Sequence, residues 1–90
     1  MPKVKLPTQL RAAAGGASKI AVEGTTVGAV LQALYGEHPE LEDSLSDGDG
    51  GLRRFVNVYV DGEDIRFGDG LATPVADGQE VQILPAVAGG

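Results

Sequence analysis

Cysteine is absent from this chain, and with it go disulfides, thiolate metal sites and any thiol that performs chemistry or carries sulfur. A single histidine leaves no basis for a His-rich metal site. No Gly-x-x-x-x-Gly-Lys-Ser/Thr occurs, so the chain has no visible loop for cradling the phosphates of ATP. Basic residues are scarce: 7 Lys and Arg stand against 13 Asp and Glu, a net charge of -6. That balance argues against nucleic acid, which is held by clustered Lys and Arg, and it favours solubility and basic partner surfaces. No apolar run approaches the length of a membrane span, and "MPKVKLPTQL" lacks the apolar stretch of a signal peptide. The expectation is a cytoplasmic protein that is monomeric when alone.

What remains is 90 residues, enough for one domain with one modest core. "KVKL" alternates, with Val4 and Leu6 on one face and Lys3 and Lys5 on the other, which reads as a strand. Gly15 and Gly16 mark a turn after "RAAA", and "SKIAVEG" alternates again, with Ile20 and Val22 together. The two short strands read as a hairpin. The period then changes: Val27, Val30, Leu31, Leu34 and Tyr35 recur at helical spacing. Thr25 or Thr26 is placed to cap that helix, and Gly36 with Pro39 to stop it. "PELEDSL" adds one short turn with Leu41 and Leu45 inward, and "SDGDGG" is a loop by composition. In "RRFVNVYVDGEDIRF" the Asp61-Gly62 pair sits between two strand-like runs, the favoured signal for a tight hairpin. Val56, Val58 and Val60 then face the core. After a loop holding Leu71 and Pro74, Asp77-Gly78 turns the chain into a last strand, with Val81 and Ile83 inward and Gln82 and Leu84 outward.

The order β-β-α-β-β-β, with one main helix covering a small mixed sheet, is that of an α+β, β-grasp or ubiquitin-like fold. It places the first and last strands side by side in the middle of the sheet. The expected organisation is a β-grasp domain over residues 1–84 and a flexible tail over 85–90.

Asp43-Ser44-Leu45 resembles a phosphopantetheine attachment site, but there the serine opens a helix in an all-helical bundle, whereas the second half of this chain alternates like strands. Ser44 is read as a surface residue. "DGDGG" from Asp47 resembles the start of a calcium loop, yet the sixth and twelfth places hold Leu52 and Val58 instead of the required glycine and acid. His38, where the helix stops, suits the last helical carbonyls, and Arg53 and Arg54 a solvated strand entrance. Phe55, Tyr59 and Leu84 fall on the sheet face opposite the helix, and exposed aromatic and apolar residues gathered there suggest a protein-binding patch.

The end of the chain, "ILPAVAGG", is small and apolar. Pro85 has no N–H to donate and should end strand pairing. From Pro85 through Ala86, Val87, Ala88 and Gly89 to Gly90 an extended chain reaches ~20 Å. Two glycines can enter a narrow channel, and the group delivered is the unhindered carboxylate of Gly90.

With "TTVGAVLQAL", "RFVNVYVDGEDIRF" and "VADGQEVQILPAVAGG", the chain resembles the ThiS/MoaD family of sulfur carrier proteins, relatives of ubiquitin. The last two segments look closest to its branch that serves actinobacterial cysteine synthesis. The resemblance implies a carrier, not an enzyme. It implies a partner adenylyltransferase of the MoeB/ThiF type that uses ATP and Mg²⁺ to turn the terminal carboxylate into an acyl-adenylate. A sulfur donor, such as a rhodanese-type sulfurtransferase, then displaces AMP and leaves a thiocarboxylate. The sulfur passes to a biosynthetic enzyme, a cysteine synthase-like protein or another. By the same resemblance Gly89 and Gly90 form the reactive end, and Leu84 an apolar contact to the activating enzyme. The alternative is a ubiquitin-like modifier joined through Gly90 to lysines.

Overall fold

The computed structural model describes residues 1–48, 51–53 and 56–85. Five strands form one mixed sheet in the order β2-β1-β5-β3-β4, with β1 and β5 parallel at its centre and the other neighbours antiparallel. This is the expected β-grasp arrangement, with additional short helices.

β1 (Lys3–Lys5) is short, but its central Val4 is fully buried between Ile20 of β2 (Lys19–Ala21) and Val81 of β5 (Glu80–Pro85). The connection between β1 and β2 differs from the expected loose turn. Pro7, with φ of -71°, opens a short helix α1 (Thr8–Arg11), followed by a 3₁₀ turn over Ala12–Ala14. Proline presets the backbone for a first helical turn, and alanine costs least to keep helical. Gly15, at φ 69°, ends the run in the left-handed conformation. Ala14 reaches the core and Leu10, Ala13 and Ala17 pack against it.

α2 (Val27–Glu37) begins at Thr26, whose Oγ1 accepts from the Ala29 N–H at 3.1 Å. Val27, Val30, Leu31, Leu34 and Tyr35 all face the sheet and are buried. Gly36 does not end the helix, which continues to Glu37. The stop is set by Pro39, which drives His38 out of the helical region to φ -134°, ψ 79°. Pro39 then opens α3 (Pro39–Leu45), longer than the single expected turn, and Leu41 and Leu45 seal the core from that side. Burial pushes the Tyr35 hydroxyl up to about 12, with nearby Glu42 adding to the rise.

Val56, Val58 and Val60 of β3 (Val56–Val60) alternate inward as expected, facing α2. Asp61 and Gly62 both take positive φ, 49° and 87°, as the two-residue hairpin turn requires. The returning strand β4 (Glu63–Asp64) is brief, because the Asp64 side chain accepts from the Arg66 N–H at 2.8 Å and caps a 3₁₀ turn over Ile65–Phe67. A second 3₁₀ turn, Gly70–Ala72, leads towards β5, whose Val81 and Ile83 are fully buried.

Gly24 stands at the entry to α2 with φ 155°, where a Cβ would lie 2.7 Å from the Val30 nitrogen. Gly36 has ordinary helical backbone and open space around it. The two therefore respond oppositely to alanine. Gly24→Ala should lower unfolding free energy by more than about 1 kcal/mol, whereas Gly36→Ala should raise it by about 0.5–1 kcal/mol, both read from urea unfolding.

Candidate functional site at the end of the central strand

β5 is held on both flanks. Its residues Glu80–Gln82 pair with Lys3–Lys5 of β1, and Val81–Pro85 run opposite Val60–Val56 of β3. Its start is pinned as well: Asp61 accepts from the Glu80 N–H at 3.1 Å and from the Gln79 amide at 3.0 Å, and the Asp61 N–H donates to the Glu80 carbonyl. The strand runs through Pro85, opposite Val56, one residue beyond the boundary expected at Leu84. Proline lacks a donor, but its carbonyl still accepts. The chain thus leaves the sheet from a strand fixed in the middle of the fold, not from a mobile edge.

Around that exit, the face turned away from α2 carries Lys3 and Lys5 of β1, Gln82 and Leu84 of β5, and Asn57 and Tyr59 of β3. The register sets Leu84 opposite Asn57 and Gln82 opposite Tyr59, so Tyr59 and Leu84 share this face on adjacent strands. Leu84 is 37% exposed, and Tyr59 is half-buried. Phe55, the third member expected in the patch, lies outside the described residues, as do Arg54 and the segment from Ala86 to Gly90.

The β3 flank of the face is braced by charge. The Arg66 guanidinium donates to the Asn57 side-chain oxygen and to Asp64 Oδ2 at 3.0 Å. These bonds, with the backbone N–H of Arg66, hold the Asp64 carboxyl below the ordinary carboxylate range and raise the Arg66 guanidinium further. Across the sheet, Lys19 Nζ meets Glu80 Oε2 at 3.4 Å.

The other sequence candidates sit elsewhere. Ser44 lies on α3, its Oγ donating back to the Glu40 carbonyl at 3.4 Å, an exposed helical serine. The Asp47 carboxylate accepts from the Gly51 N–H at 3.2 Å within its loop. His38 bridges α2 and α3, its N–H donating to the Leu34 carbonyl at 2.8 Å. Arg53 donates to the Asp43 carbonyl at 2.7 Å. Among the described residues no three His, Cys, Asp or Glu side chains converge as a metal site. No described helix is long and apolar enough to cross a membrane.

Two features escaped sequence reasoning. Arg11, which stands in the sequence only as the start of "RAAA" before a turn, lines the same groove as Lys5 and Leu84 by way of α1, and its Nε donates to the Leu6 carbonyl at 3.2 Å. Phe67 is 88% exposed in the 3₁₀ turn after β4, where its place in a strand-like run gave no sign of exposure.

A parallel β1–β5 centre, one main helix across the inner face, and a last strand leading out of the sheet define a ubiquitin-like β-grasp protein. Comparison with known proteins narrows the class. The ThiS family profile matches residues 4–90, and the chain belongs to that family. It is 48% identical over 89 residues to the sulfur carrier protein CysO of Mycobacterium tuberculosis, covering 97% of this chain and 96% of CysO. A chain in the crystal structure of the Amycolatopsis orientalis BexX/CysO complex superimposes with a TM-score of 0.92 at 40% identity, each chain covered over 100% of its length. Small archaeal modifier protein 1 of Haloferax volcanii is 38% identical over 88 residues, covering 96% of this chain and 97% of that protein.

The Asp64–Arg66 pair has a pH signature. Because the folded-state carboxyl titrates below its ordinary 3.8, the folded state favours the ionised form. That contribution is present above 3.8 and is lost as the pH falls through the lower folded-state value. Asp64→Asn should therefore be less stable than the parent at neutral pH, the gap closing in acid, as read from Tm across an acid series.

Proposed function

We propose that this chain is a sulfur carrier whose Gly90 carboxylate is adenylated by a partner enzyme and then converted to a thiocarboxylate. The observation that carries the reading is the 48% identity to a sulfur carrier protein across nearly the whole of both chains. A carboxylate is a poor electrophile until its oxygen joins a good leaving group. The activating partner, an adenylyltransferase of the MoeB/ThiF type, uses ATP and Mg²⁺ to form the acyl-adenylate with release of pyrophosphate. The outer sulfur of a persulfide on a rhodanese-type donor then attacks the carbonyl and expels AMP, giving an acyl disulfide. A second thiol, on the donor or the activating enzyme, attacks the donor's inner sulfur, forms a disulfide with it and leaves the thiocarboxylate on Gly90. The chain contributes no thiol and needs none, since it contains no cysteine and the sulfur sits on its backbone terminus.

On this reading the chain is not itself an enzyme. Its part is delivery: Pro85, Ala86, Val87, Ala88 and Gly89 carry Gly90 to the partner's nucleotide site, and glycine's bare backbone admits it. Leu84 and Tyr59, together with Phe55 as the sequence pattern expects, supply the contact to the partner. The recipient is a cysteine synthase-like enzyme or another enzyme that builds a sulfur-containing metabolite, in the cytoplasm. Crystallisation of a relative as the BexX/CysO complex is in keeping with a carrier that docks on another protein.

A second reading is favoured by the similarity to small archaeal modifier protein 1: a modifier joined through Gly90 to lysines of other proteins. The same acyl-adenylate serves both outcomes, and the attacking nucleophile decides between them.

Intact-mass measurement after incubation with the cognate adenylyltransferase, ATP, Mg²⁺ and a sulfur source separates the two. The carrier reading requires a gain equal to one oxygen replaced by sulfur, located on the C-terminal peptide and lost when Gly90 is deleted. Lysine-linked adducts without a thiocarboxylate would favour the modifier. Leu84→Glu should weaken binding to the adenylyltransferase about tenfold or more, since an apolar side chain that the partner would cover is replaced by a charge; isothermal titration checks this, and unchanged affinity removes Leu84 from the contact.

A further inference from the structure

A groove of about 260 Å³ opens where β1, α1 and the end of β5 meet, lined among others by Lys5, Leu6, Thr8, Arg11, Gln82 and Leu84. It holds two cations and no acidic residue, in a chain with a net charge of -6. Acidic residues gather elsewhere: Glu37, Glu40, Glu42, Asp43 and Asp47 all lie along the end of α2, α3 and the loop that follows. Among the described residues, no carboxylate lies in ion-pair distance of Lys3, Lys5 or Arg11, whereas Lys19 and Arg66 each hold one.

The register makes this arrangement costly. Lys5 stands directly opposite Lys19 in the antiparallel β1–β2 pair, and like charges in that relation destabilise a sheet. Glu80 relieves Lys19 but not Lys5. A local rule broken without compensation among the described residues points to a use outside the fold.

We infer that this groove receives an acidic segment of the activating enzyme, the reverse of the basic partner surface that net charge alone suggests, because the local charge at the groove and not the total is what the partner meets; the inference rests on the carrier reading above and adds what the partner's surface must be. Leu6, Pro7 and Leu84 give the groove an apolar wall beside its two cations, which suits a polypeptide carrying carboxylates next to apolar side chains. The acidic α3 side is repelled by the same partner surface. Together the basic groove and the acidic α3 orient the carrier so that the end of β5, and not α3, meets the enzyme first. Charges arranged this way act mainly on the association rate.

Stopped-flow association of the full chain with its cognate adenylyltransferase, at low and high salt, tests the inference. Lys3→Glu/Lys5→Glu should slow association about tenfold or more at low salt, with the difference shrinking at high salt. Lys5→Met, which keeps the apolar stem, should give part of the loss, and Lys5→Arg should restore the rate. Glu40→Lys/Asp43→Lys, on α3 and outside the groove lining, should leave the rate unslowed. Association of Lys3→Glu/Lys5→Glu and Lys5→Met at the wild-type rate, or equal slowing by the α3 pair, would overturn the inference. A wild-type chain that gains no thiocarboxylate overturns the carrier reading itself. A wild-type chain that gains it, with lysine variants unaffected, overturns only the groove.

Discussion

The parallel pairing of β1 with β5 is the constraint on which the rest depends. It joins residues 3–5 to residues 80–82, so the whole intervening chain must close around it. Parallel neighbours cannot be linked by a tight turn and need a crossover that covers the sheet. α2 provides that cover, and its five buried side chains meet Val4, Val58, Val81 and Ile83 in one core. β5 has a partner on each flank over Glu80–Gln82, and its pairing with β3 continues along Ile83–Pro85. The strand's end is therefore a fixed platform for whatever follows.

The antiparallel elements and the main helix were legible because each carries a short-range signal. Val56, Val58 and Val60 alternate, Asp61-Gly62 names its turn, and Val27 to Tyr35 keep helical period. Thr26 announces the cap that the structure uses. What was not legible was decided by neighbours more than by pattern. "RAAAGGA" contains glycines that suggest looseness, yet its alanines form α1 and a 3₁₀ turn because Ala14 can be buried there. Gly36 reads as a stop, but a helix ends where the next residue cannot be helical, and here that constraint comes from Pro39 through His38. β4 reads as a full strand, but Asp64 captures the Arg66 N–H and turns the chain after two residues.

The candidate site was legible unequally. Leu84 and Tyr59 followed from alternation once two strands were set side by side, and their register confirms a shared face. Arg11 did not follow, since its position beside Lys5 depends on α1, an element no periodicity marked. Gly90 was singled out by its chemistry, not by geometry, and lies outside the described residues. The charge pattern is intermediate: the acidic run along α3 is visible in sequence, but its separation from the lysines of β1 is a property of the fold.

The central place of β5 also has a consequence for biosynthesis. A sheet whose middle strand is contributed by residues 80–85 has no centre while those residues are still within the ribosome. β1 and the β3–β4 hairpin are made early, but they lie on opposite sides of a gap that only the last strand fills. Folding by such a long-range closure is slow compared with local pairing. It also means that the domain is completed at nearly the same moment as the segment that follows β5 is made. Chains released before that point lack the ladder that joins the two halves.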